Sequence, residues 1–323
     1  MSHKLKVGVL RGGPSSEYDV SLQTGAAVIK HLPERYQAID VFIDKSGVWH
    51  LSGMPILPHR ALSKVDVVFN ALHGEYGEDG KVQHILETFG VPYTGPKTFP
   101  AAISMSKPAS KKLFVEYGLK TPRSVVLDKT ADLDALALQI VRTLHLPVVI
   151  KPAAAGSSVG VSIVKRFHDF VLALKKAFVV GRQVLAEEMV SGKEATCGVL
   201  ENYRNRRHYA LLPVEIIHPK DKDFFDYEAK YGGSTGEVCP GNFSQGQKRE
   251  IERMAISAHQ ALGLRHYSRS DFIIHPTRGV FILETNSLPG LTAESLYPKS
   301  LMAVGSSLPE FLDHVLTCAI SRQ

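Results

Sequence analysis

Five segments near the N-terminus carry hydrophobic residues at the spacing of strands and helices in turn. They are predicted strands at 4–10, 39–43 and 65–72 and predicted helices at 20–32 and 79–89, the last ended by Gly90. Strands that alternate with helices along a chain usually form a parallel sheet covered by those helices. The first part of the chain therefore predicts an α/β domain. No GxGxxG follows its first strand, which argues against an NAD-binding site.

Two breaks divide the rest of the chain. The Pro/Gly-rich stretch YTGPKTFPAA lies near residue 97, and MVSGKE follows a predicted strand at 183–188. They predict three domains, at 1–97, 98–188 and 189–323. Between the breaks we predict helices at 107–117, 131–144 and 169–179 and strands at 146–150, 161–164 and 183–188. Beyond them we predict strands at 196–200 and 209–216, a helix at 247–262, a hairpin at 267–287 and a helix at 308–321. This mixture indicates an α+β arrangement in the C-terminal two-thirds.

Composition narrows the class of protein. The chain has 323 residues, of which 44% are hydrophobic and 22% charged, proportions of a globular protein too long for one core. No apolar run is long enough to span a bilayer, and the first strand begins without the layout of a signal peptide. The net charge of +6 suits an anionic ligand, but no basic run is interleaved with aromatics, which disfavours nucleic acid. The three cysteines are scattered without a CxxC pair, so we expect reduced thiols and a cytoplasmic location.

The predicted hairpin at 267–287 gathers polar side chains on one face. Around its turn, PTRG, we expect His275 to pair with Val280. Because side chains alternate across a strand, this register predicts a polar face of Arg269, Asp271, Glu284 and Asn286. The opposite face is then apolar, with Phe272, Ile274, Phe281 and Leu283. Two carboxylates and an amide oxygen suit Mg²⁺, whereas a solvated face with Arg269 as counter-ion is the alternative.

A loop of small residues, PAAAGSSVG, follows the predicted strand at 146–150. Backbone N–H groups of such a loop can approach phosphate oxygens closely, and Lys151 just before it adds a point charge. An ordinary tight hairpin is the alternative. Lys107, at the start of a predicted helix with Ser106 as candidate N-cap, is a second phosphate-binding candidate, although a lone lysine is more often a surface residue. The Walker pattern is absent, which argues against a P-loop NTPase. Together with the acidic hairpin, these groups suggest a Mg-nucleotide held between two domains.

Eight short motifs occur in order along nearly the whole chain. They are GGPSSEYDVS, ALHGEYGEDG, AISMSK, VIKPAAAGSSVG, EEMVSGKE, DYEAKY, RSDF and LETNSLPGLTAES. Singly these motifs are weakly specific, but as a set they resemble the D-alanine–D-alanine ligases, a family of ATP-grasp enzymes. The resemblance implies a three-domain ATP-grasp fold with a Rossmann-like N-terminal domain and with the nucleotide between the second and third domains. It also implies a cytoplasmic homodimer that serves peptidoglycan synthesis.

The resemblance implies a reaction in two steps. ATP phosphorylates the carboxylate of a first D-alanine, and the amine of a second D-alanine attacks the acylphosphate through a tetrahedral intermediate. D-alanine and ATP are the expected partners, and two Mg²⁺ ions, which Mn²⁺ can replace, are the expected cofactors. The polar, glycine-rich stretch at 223–237 resembles a lid that keeps water from the acylphosphate, with a merely disordered loop as the alternative.

The resemblance also implies roles for individual residues. ATP would be bound by Lys107, Lys151, Ser157, Ser158, Glu187, Glu188, Val190, Glu194 and Lys230. Glu187 to Val190 would line the adenine pocket, largely through the backbone. The metal ligands would be Asp271, Glu284 and Asn286. The two D-alanines would be bound by Glu17, His73, Lys230, Arg269, Gly290 and Ser295. Glu17, Ser157 and Tyr231 would form a hydrogen-bonded triad, and Arg269 and the Gly290 N–H would stabilise the oxyanion.

Several positions depart from the family pattern. Ala154 and Ala155 stand where relatives usually carry charged residues, Glu188 stands where they have lysine, and Ser106 stands where they often have aspartate. A D-alanine–D-lactate ligase or another variant-substrate ligase is the alternative within the family. Tyr231 argues against the lactate-forming type. Two further alternatives are a non-catalytic nucleotide-binding relative, which should have lost metal ligands or lysines, and an ATP-grasp carboxylase, which needs a biotin or bicarbonate site.

Overall fold

The computed structural model of the protein describes residues 4–130, 132–154, 156, 159–217 and 236–321. These residues form three β-sheets, one within each of the ranges 1–97, 98–188 and 189–323. We keep the division into three domains at these boundaries as a proposal. Among the helices of the described residues, we find none with the length and apolar character needed to cross a bilayer.

The first sheet has five strands in the order β4-β3-β2-β1-β5. Its strands are β1 Leu5–Gly12, β2 Tyr36–Ile43, β3 Trp49–Leu51, β4 Met54–Pro55 and β5 Val67–Asn70. Its helices are α1 Tyr18–His31, α2 Pro58–Leu62 and α3 Lys81–Thr88, and α4 Thr98–Met105 follows. Strand β1 pairs in parallel with both β2 and β5, as the alternating pattern predicts. Strands β3 and β4 add an antiparallel edge that the hydrophobic pattern did not predict, because both are too short to show a period.

The second sheet is antiparallel, in the order β6-β9-β7-β8. Its strands are β6 Ser124–Asp128, β7 Val148–Pro152, β8 Ser162–Val164 and β9 Gln183–Glu188. The helices of this part are α5 Lys107–Glu116, α6 Leu133–Thr143 and α7 Phe170–Val180. Helices α6 and α7 bury Ile140, Phe170 and Leu174 against Val148 and Ile150 of β7. The apolar stripes of these two helices therefore cover one face of this sheet.

The third sheet has the order β13-β12-β10-β14-β15, and β11 also pairs with β10. Its strands are β10 Lys193–Tyr203, β11 Arg206–Ala210, β12 Val214–Ile217, β13 Gly236–Val238, β14 Tyr267–His275 and β15 Gly279–Asn286. The helices are α8 Gln245–Ala261, α9 Leu296–Ala303 and α10 Leu308–Ser321. The single strand predicted at 209–216 is wrong. Two strands stand there, separated at Pro213, which has no N–H to donate to a ladder.

The hairpin β14–β15 carries a bulge that corrects the predicted register. His275 pairs with Gly279 and not with Val280. A shift between Asp271 and Phe272 then restores the predicted pairing of Asp271 with Glu284. The predicted apolar face is therefore wrong in two members, Phe281 and Leu283. The residues of this hairpin that pack together in the core are Phe272, Ile274, Val280 and Ile282.

The first and third sheets share a hydrophobic core. Val7 and Val9 of β1 and Phe69 of β5 pack in one cluster with Tyr297 of α9 and Phe311 of α10. The opposite face of the same sheet has a separate cluster around Leu10, Trp49 and Leu86. The last helix thus covers the first sheet and fixes the N-terminal segment beside the loops that follow β15.

Candidate active site

Two adjoining cavities lie where the three sheets converge. The larger has a volume of about 870 Å³ and the smaller about 350 Å³. The residues that line both are Lys107, Arg269, Leu283, Glu284 and Leu296. Lys107 begins α5, Arg269 lies on β14, and Leu283 and Glu284 lie on β15. The cavities therefore meet at a wall that carries two cations and a carboxylate.

Glu17 stands at one end of the larger cavity, just before α1. Two glycines from distant motifs close around its carboxylate. A Cβ atom at Gly74, which has φ +70°, would lie 2.7 Å from Glu17 Oε2, and one at Gly156 would lie closer still. Side chains at these two positions would displace the carboxylate, so the two glycines permit its close approach. The motifs HGEYG and KPAAAG thus converge on Glu17.

His73 lies beside Glu17 in the same cavity, on the loop after β5. Its Nε2 is 2.8 Å from the Thr24 hydroxyl, and the residue is buried. Burial lowers the pKa of His73, and nearby Glu17 opposes this only in part. The imidazole is therefore neutral near pH 7.

Glu78 is a cavity residue to which the sequence assigned no role, although it lies in the motif ALHGEYGEDG. Its carboxylate accepts hydrogen bonds from the N–H of Gly74 at 2.9 Å and the N–H of Leu288 at 3.1 Å. It thereby joins the first part of the chain to the loop after β15. Burial, reinforced by the charge of Glu17, raises the pKa of Glu78 to about 7.

The predicted metal ligands come together on β14 and β15, each near a polar or cationic partner. The guanidinium of Arg269 binds both carboxylate oxygens of Asp271 at 3.0 and 3.1 Å, and the Asn286 amide donates to Asp271 at 3.0 Å. Lys107 Nζ lies 3.4 Å from Glu284 Oε2. Each of the two carboxylates attracts a cation, and the Asn286 side chain reaches from β15 to Asp271 on β14. Together they offer the hard oxygen donors that Mg²⁺ prefers. The residues present therefore fit the predicted metal.

The smaller cavity ends at a buried ion cluster of Glu187, Lys111 and Lys151. Glu187 on β9 is 3% exposed, and its two oxygens lie 2.7 Å from Lys111 Nζ and 2.6 Å from Lys151 Nζ. Burial alone would raise the pKa of Glu187, but the two ammonium groups reverse this, and the pKa is lowered. The Glu187 side chain thus holds Lys151 in place. Lys111, one helical turn beyond Lys107 on α5, was not among the predicted site residues.

Glu188, the next residue, faces away from this cluster. Its carboxylate accepts hydrogen bonds from the backbone N–H of Arg123 at 3.2 Å and from the Arg278 guanidinium at 2.9 Å. Partial burial opposes ionisation, but these donors lower the pKa of Glu188. The remaining predicted nucleotide residues, Val190 and Glu194, also line the smaller cavity. The Glu188 carboxylate is accommodated because two arginines neutralise it.

The far wall of the larger cavity is formed by the loop between β15 and α9. Gly290 and Ser295 both line it. The Ser295 hydroxyl accepts a hydrogen bond from the Thr292 backbone N–H at 3.1 Å and lies 2.8 Å from the Thr292 hydroxyl. Lys299 and Glu237 lie nearby, with Nζ 2.7 Å from Oε2. Neither residue of this second pair was predicted, because Glu237 and Lys299 approach each other only through the tertiary fold.

Four predicted site residues lie outside the described residues: Ser157, Ser158, Lys230 and Tyr231. Most of the predicted lid at 223–237 also lies outside them. The described site therefore contains every other predicted residue, brought around two adjoining cavities.

Comparisons with known proteins place this site in a family. A family model described as D-ala D-ala ligase C-terminus matches residues 113–317, and one described as D-ala D-ala ligase N-terminus matches 6–56 and 54–96. The chain belongs to the D-alanine–D-alanine ligase family. Relatives named D-alanine--D-alanine ligase include one from Pelotomaculum thermopropionicum, 35% identical over 98% of this chain and 97% of its own. Another, from Syntrophobacter fumaroxidans, is 37% identical over 99% of each chain.

Solved structures of the family have the same fold. The VanG D-Ala:D-Ser ligase from Enterococcus faecalis superimposes with a TM-score of 0.86 at 30% identity, covering 98% of this chain and 100% of its own. The D-alanyl-alanine synthetase A from Vibrio cholerae gives a TM-score of 0.86 at 26% identity, covering 100% of both chains. The predicted ATP-grasp α/β fold of the D-alanine–D-alanine ligase family is confirmed.

Proposed function

We propose that the protein joins two D-alanines into D-alanyl-D-alanine, with cleavage of ATP to ADP and phosphate, for peptidoglycan precursor synthesis. Membership of the D-alanine–D-alanine ligase family over nearly the full chain supports this function. The observation that carries it is the junction of the two cavities. A substrate carboxylate in the larger cavity can there meet a phosphate in the smaller one, beside Lys107, Arg269 and Glu284.

Glu17 and His73 would bind the first D-alanine. The Glu17 carboxylate, approached by two glycines, lines the larger cavity and offers a negative charge to the ammonium group. A neutral imidazole beside it adds hydrogen bonding without repelling that ammonium group, since burial keeps the pKa of His73 low. Ser157 and Tyr231 would complete a hydrogen-bonded triad with Glu17. This arrangement orients the substrate carboxylate towards the junction.

Lys107 and Lys151 would bind the ATP phosphates, and Glu187 to Val190 would line the adenine pocket. Both lysines line the smaller cavity, and the buried carboxylate of Glu187 positions Lys151. Ser158, Glu194 and Lys230 would complete the nucleotide site. Asp271, Glu284 and Asn286 would hold Mg²⁺, which neutralises phosphate charge during phosphoryl transfer when it is bound.

Arg269 and the N–H of Gly290 would stabilise the second step. In that step the amine of the second D-alanine attacks the acylphosphate carbonyl, and the tetrahedral oxyanion then expels phosphate. Arg269 lines both cavities at their junction, and its two hydrogen bonds to Asp271 orient the guanidinium there. Ser295 and Lys230 would bind the carboxylate of the second D-alanine.

We also propose that the enzyme works in the cytoplasm as a homodimer. ATP and the amino-acid substrates of the proposed reaction support the location, and the three cysteines, which form no disulfide among the described residues, agree with it. The dimer is proposed from membership of the family alone.

A coupled assay tests the proposed reaction. The full chain with ATP, Mg²⁺ and D-alanine should release phosphate and form the dipeptide in equal amounts. D-lactate and D-serine, each offered beside a limiting amount of D-alanine, test the variant-substrate alternatives. Phosphate release that requires either of them would overturn the D-alanine assignment. A Glu284→Gln variant with full activity would overturn the metal assignment.

A further inference from the structure

A cluster of two histidines and a glutamate lies in the third sheet, apart from both cavities. Glu201 on β10 and His208 on β11 face each other directly across an antiparallel pair. His259 projects from the last turns of α8, which packs on the same sheet. The two imidazoles and the carboxylate each offer one ligand atom, and these atoms all lie within 4.8 Å of one another. None of the three is among the described residues that line either cavity.

One ring nitrogen of the buried His259 has no hydrogen-bond partner among the described residues. The residue is 0% exposed, and its Nε2 makes no hydrogen bond within the described part of the chain. This nitrogen lies 3.8 Å from Glu201 Oε1, too far for a hydrogen bond. A buried nitrogen without a partner is costly, so the fold retains it at a net loss unless something occupies the space it faces.

The distances in the cluster match those around a small divalent ion. His208 Nε2 lies 3.7 Å from the same Glu201 oxygen that faces His259. Ligand atoms about 2.0–2.1 Å from a tetrahedral ion lie about 3.3 Å from one another. The two distances from the glutamate oxygen are therefore a few tenths of an ångström longer than in such a site, and all three ligand atoms lie within 4.8 Å of one another. Movement of the two histidines towards Glu201 and towards each other would bring the three atoms to an ion.

The outer contacts orient the three ligands. His259 Nδ1 lies 2.7 Å from the Ser268 hydroxyl, which can accept its proton and leave the Nε2 lone pair for an ion. His208 Nδ1 lies 3.2 Å from the side-chain amide of Gln260. Rotation of that amide by half a turn presents its oxygen, which then accepts from Nδ1 and frees Nε2 in the same way. Glu201 Oε2 accepts the His266 N–H at 2.7 Å, so Oε1 remains directed at the histidines.

We infer that Glu201, His208 and His259 bind one Zn²⁺ ion or a chemically similar divalent transition metal. Two imidazoles and a carboxylate favour this class over Mg²⁺, which requires oxygen ligands. A fourth position, filled by water, would lie towards His208, whose side chain is 11% exposed and gives the ion its way in. The ion would join α8 to the β10–β11 hairpin, behind the strand that carries Arg269. It would stabilise the third sheet and is separate from the proposed Mg²⁺ site.

Metal titration of the full chain tests the inference. Chelator-treated protein in excess Mg²⁺, which occupies oxygen sites, is titrated with Co²⁺ and then with Zn²⁺. We expect one Co²⁺ per chain with the visible absorption of a tetrahedral imidazole site, and its displacement by Zn²⁺. We also expect Zn²⁺ to raise the Tm by several degrees, because binding to the folded state alone stabilises it. These readouts do not depend on ligase activity, so the test is independent of the proposed function.

His208→Gln is the test variant, because this side chain is the most exposed of the three. His168→Gln is the matched control, since His168 is a largely exposed histidine in the short turn that precedes α7. Loss of a direct ligand should weaken metal binding beyond the 10–100-fold typical of an outer contact. Glu201→Gln is a second variant, in which the amide oxygen can still accept the His266 N–H. Its metal-free Tm reports whether the fold is intact.

Two results would overturn the inference. One is equal binding of Co²⁺ by the wild type, His208→Gln and Glu201→Gln. The other is a wild-type protein that binds no Co²⁺ and shows no Tm response to Zn²⁺. In either case the cluster is a buried charge network in which protons, rather than a metal, compensate the carboxylate.

Discussion

Glu187 and Glu78 are both buried carboxylates beside the active site, yet their pKa values are displaced in opposite directions. Glu187 lies between two lysines, and its pKa is lowered. Glu78 is bonded by two backbone N–H groups and lies near Glu17, and its pKa is raised to about 7. Burial penalises ionisation in both, so the neighbouring charges decide which carboxylate is ionised. Burial alone therefore predicts neither the charge nor the role of a glutamate in this site.

Glu187→Gln should cause the largest loss of stability. It leaves Lys111 and Lys151 buried without their counter-ion, and removal of one partner from a buried ion pair costs about 3–5 kcal/mol. The free energy of unfolding from urea titration measures this. Glu188→Gln is the adjacent control, and because its arginine partners are largely exposed it should cost less than about 1 kcal/mol. Equal losses in the two variants would contradict the comparison.

Lys111→Met should have the next largest effect, about 2–3 kcal/mol. Glu187 keeps one cation, Lys151, and the methionine retains most of the apolar packing. With its carboxylate no longer shared, Glu187 should hold Lys151 more strongly and raise the KM for ATP. Urea unfolding and steady-state kinetics measure the two effects. An unchanged KM alongside lower stability would show that Lys111 acts on the fold alone.

Glu78→Gln should change how stability depends on pH. Because the folded-state pKa, about 7, exceeds the ordinary value of 4.5, the folded state binds more protons between these values, and stability falls as pH rises from about 4.5 to 7. We expect the wild type to lose roughly 2 kcal/mol through this group, which the variant should not lose. The difference between wild-type and variant unfolding free energies, measured at pH 5 and pH 8, isolates Glu78. Parallel pH profiles would disprove the raised pKa.

Glu17→Gln should have the smallest effect on the fold. It removes the negative charge that helps to raise the pKa of Glu78, so the pKa should fall and the pH-dependent loss should end at lower pH. The change in stability at pH 7 should be a gain of less than about 1 kcal/mol. Unfolding across the same pH range measures it. A profile identical to that of the wild type would mean that burial alone sets the pKa of Glu78.

Site residues that lie in one local pattern were predicted better than site residues that meet only through the tertiary fold. The alternation of side chains predicted that Arg269, Asp271, Glu284 and Asn286 meet, and the structure confirms the pairings of Asp271 with Glu284 and Arg269 with Asn286. The register from which they were deduced was wrong at the turn, and the bulge compensated for the error. The extra residue of the bulge is Leu283, and because no glycine stands at that position the sequence carries no sign of the bulge.

Contacts between distant segments were beyond the sequence. Lys111 meets Glu187 across 76 positions of the chain, and His259 meets Glu201 only because α8 packs on the third sheet. From the sequence alone, a lysine in a helix and a glutamate in a strand are expected at the surface. Only the tertiary structure shows that they form a buried pair. The motif ALHGEYGEDG contained Glu78, but its protonation depends on loops from both ends of the chain.

The packing of α10 on the first sheet has a consequence for synthesis of the protein. Val7, Val9 and Phe69 leave the ribosome roughly 240 to 300 residues before the phenylalanine of α10 that covers them, Phe311. At ordinary rates of translation this delay is on the order of tens of seconds, during which one apolar face of the first sheet is not yet covered by α10. Until the final helix emerges, this face of the nascent chain can therefore make non-native contacts, which favour misfolding or aggregation.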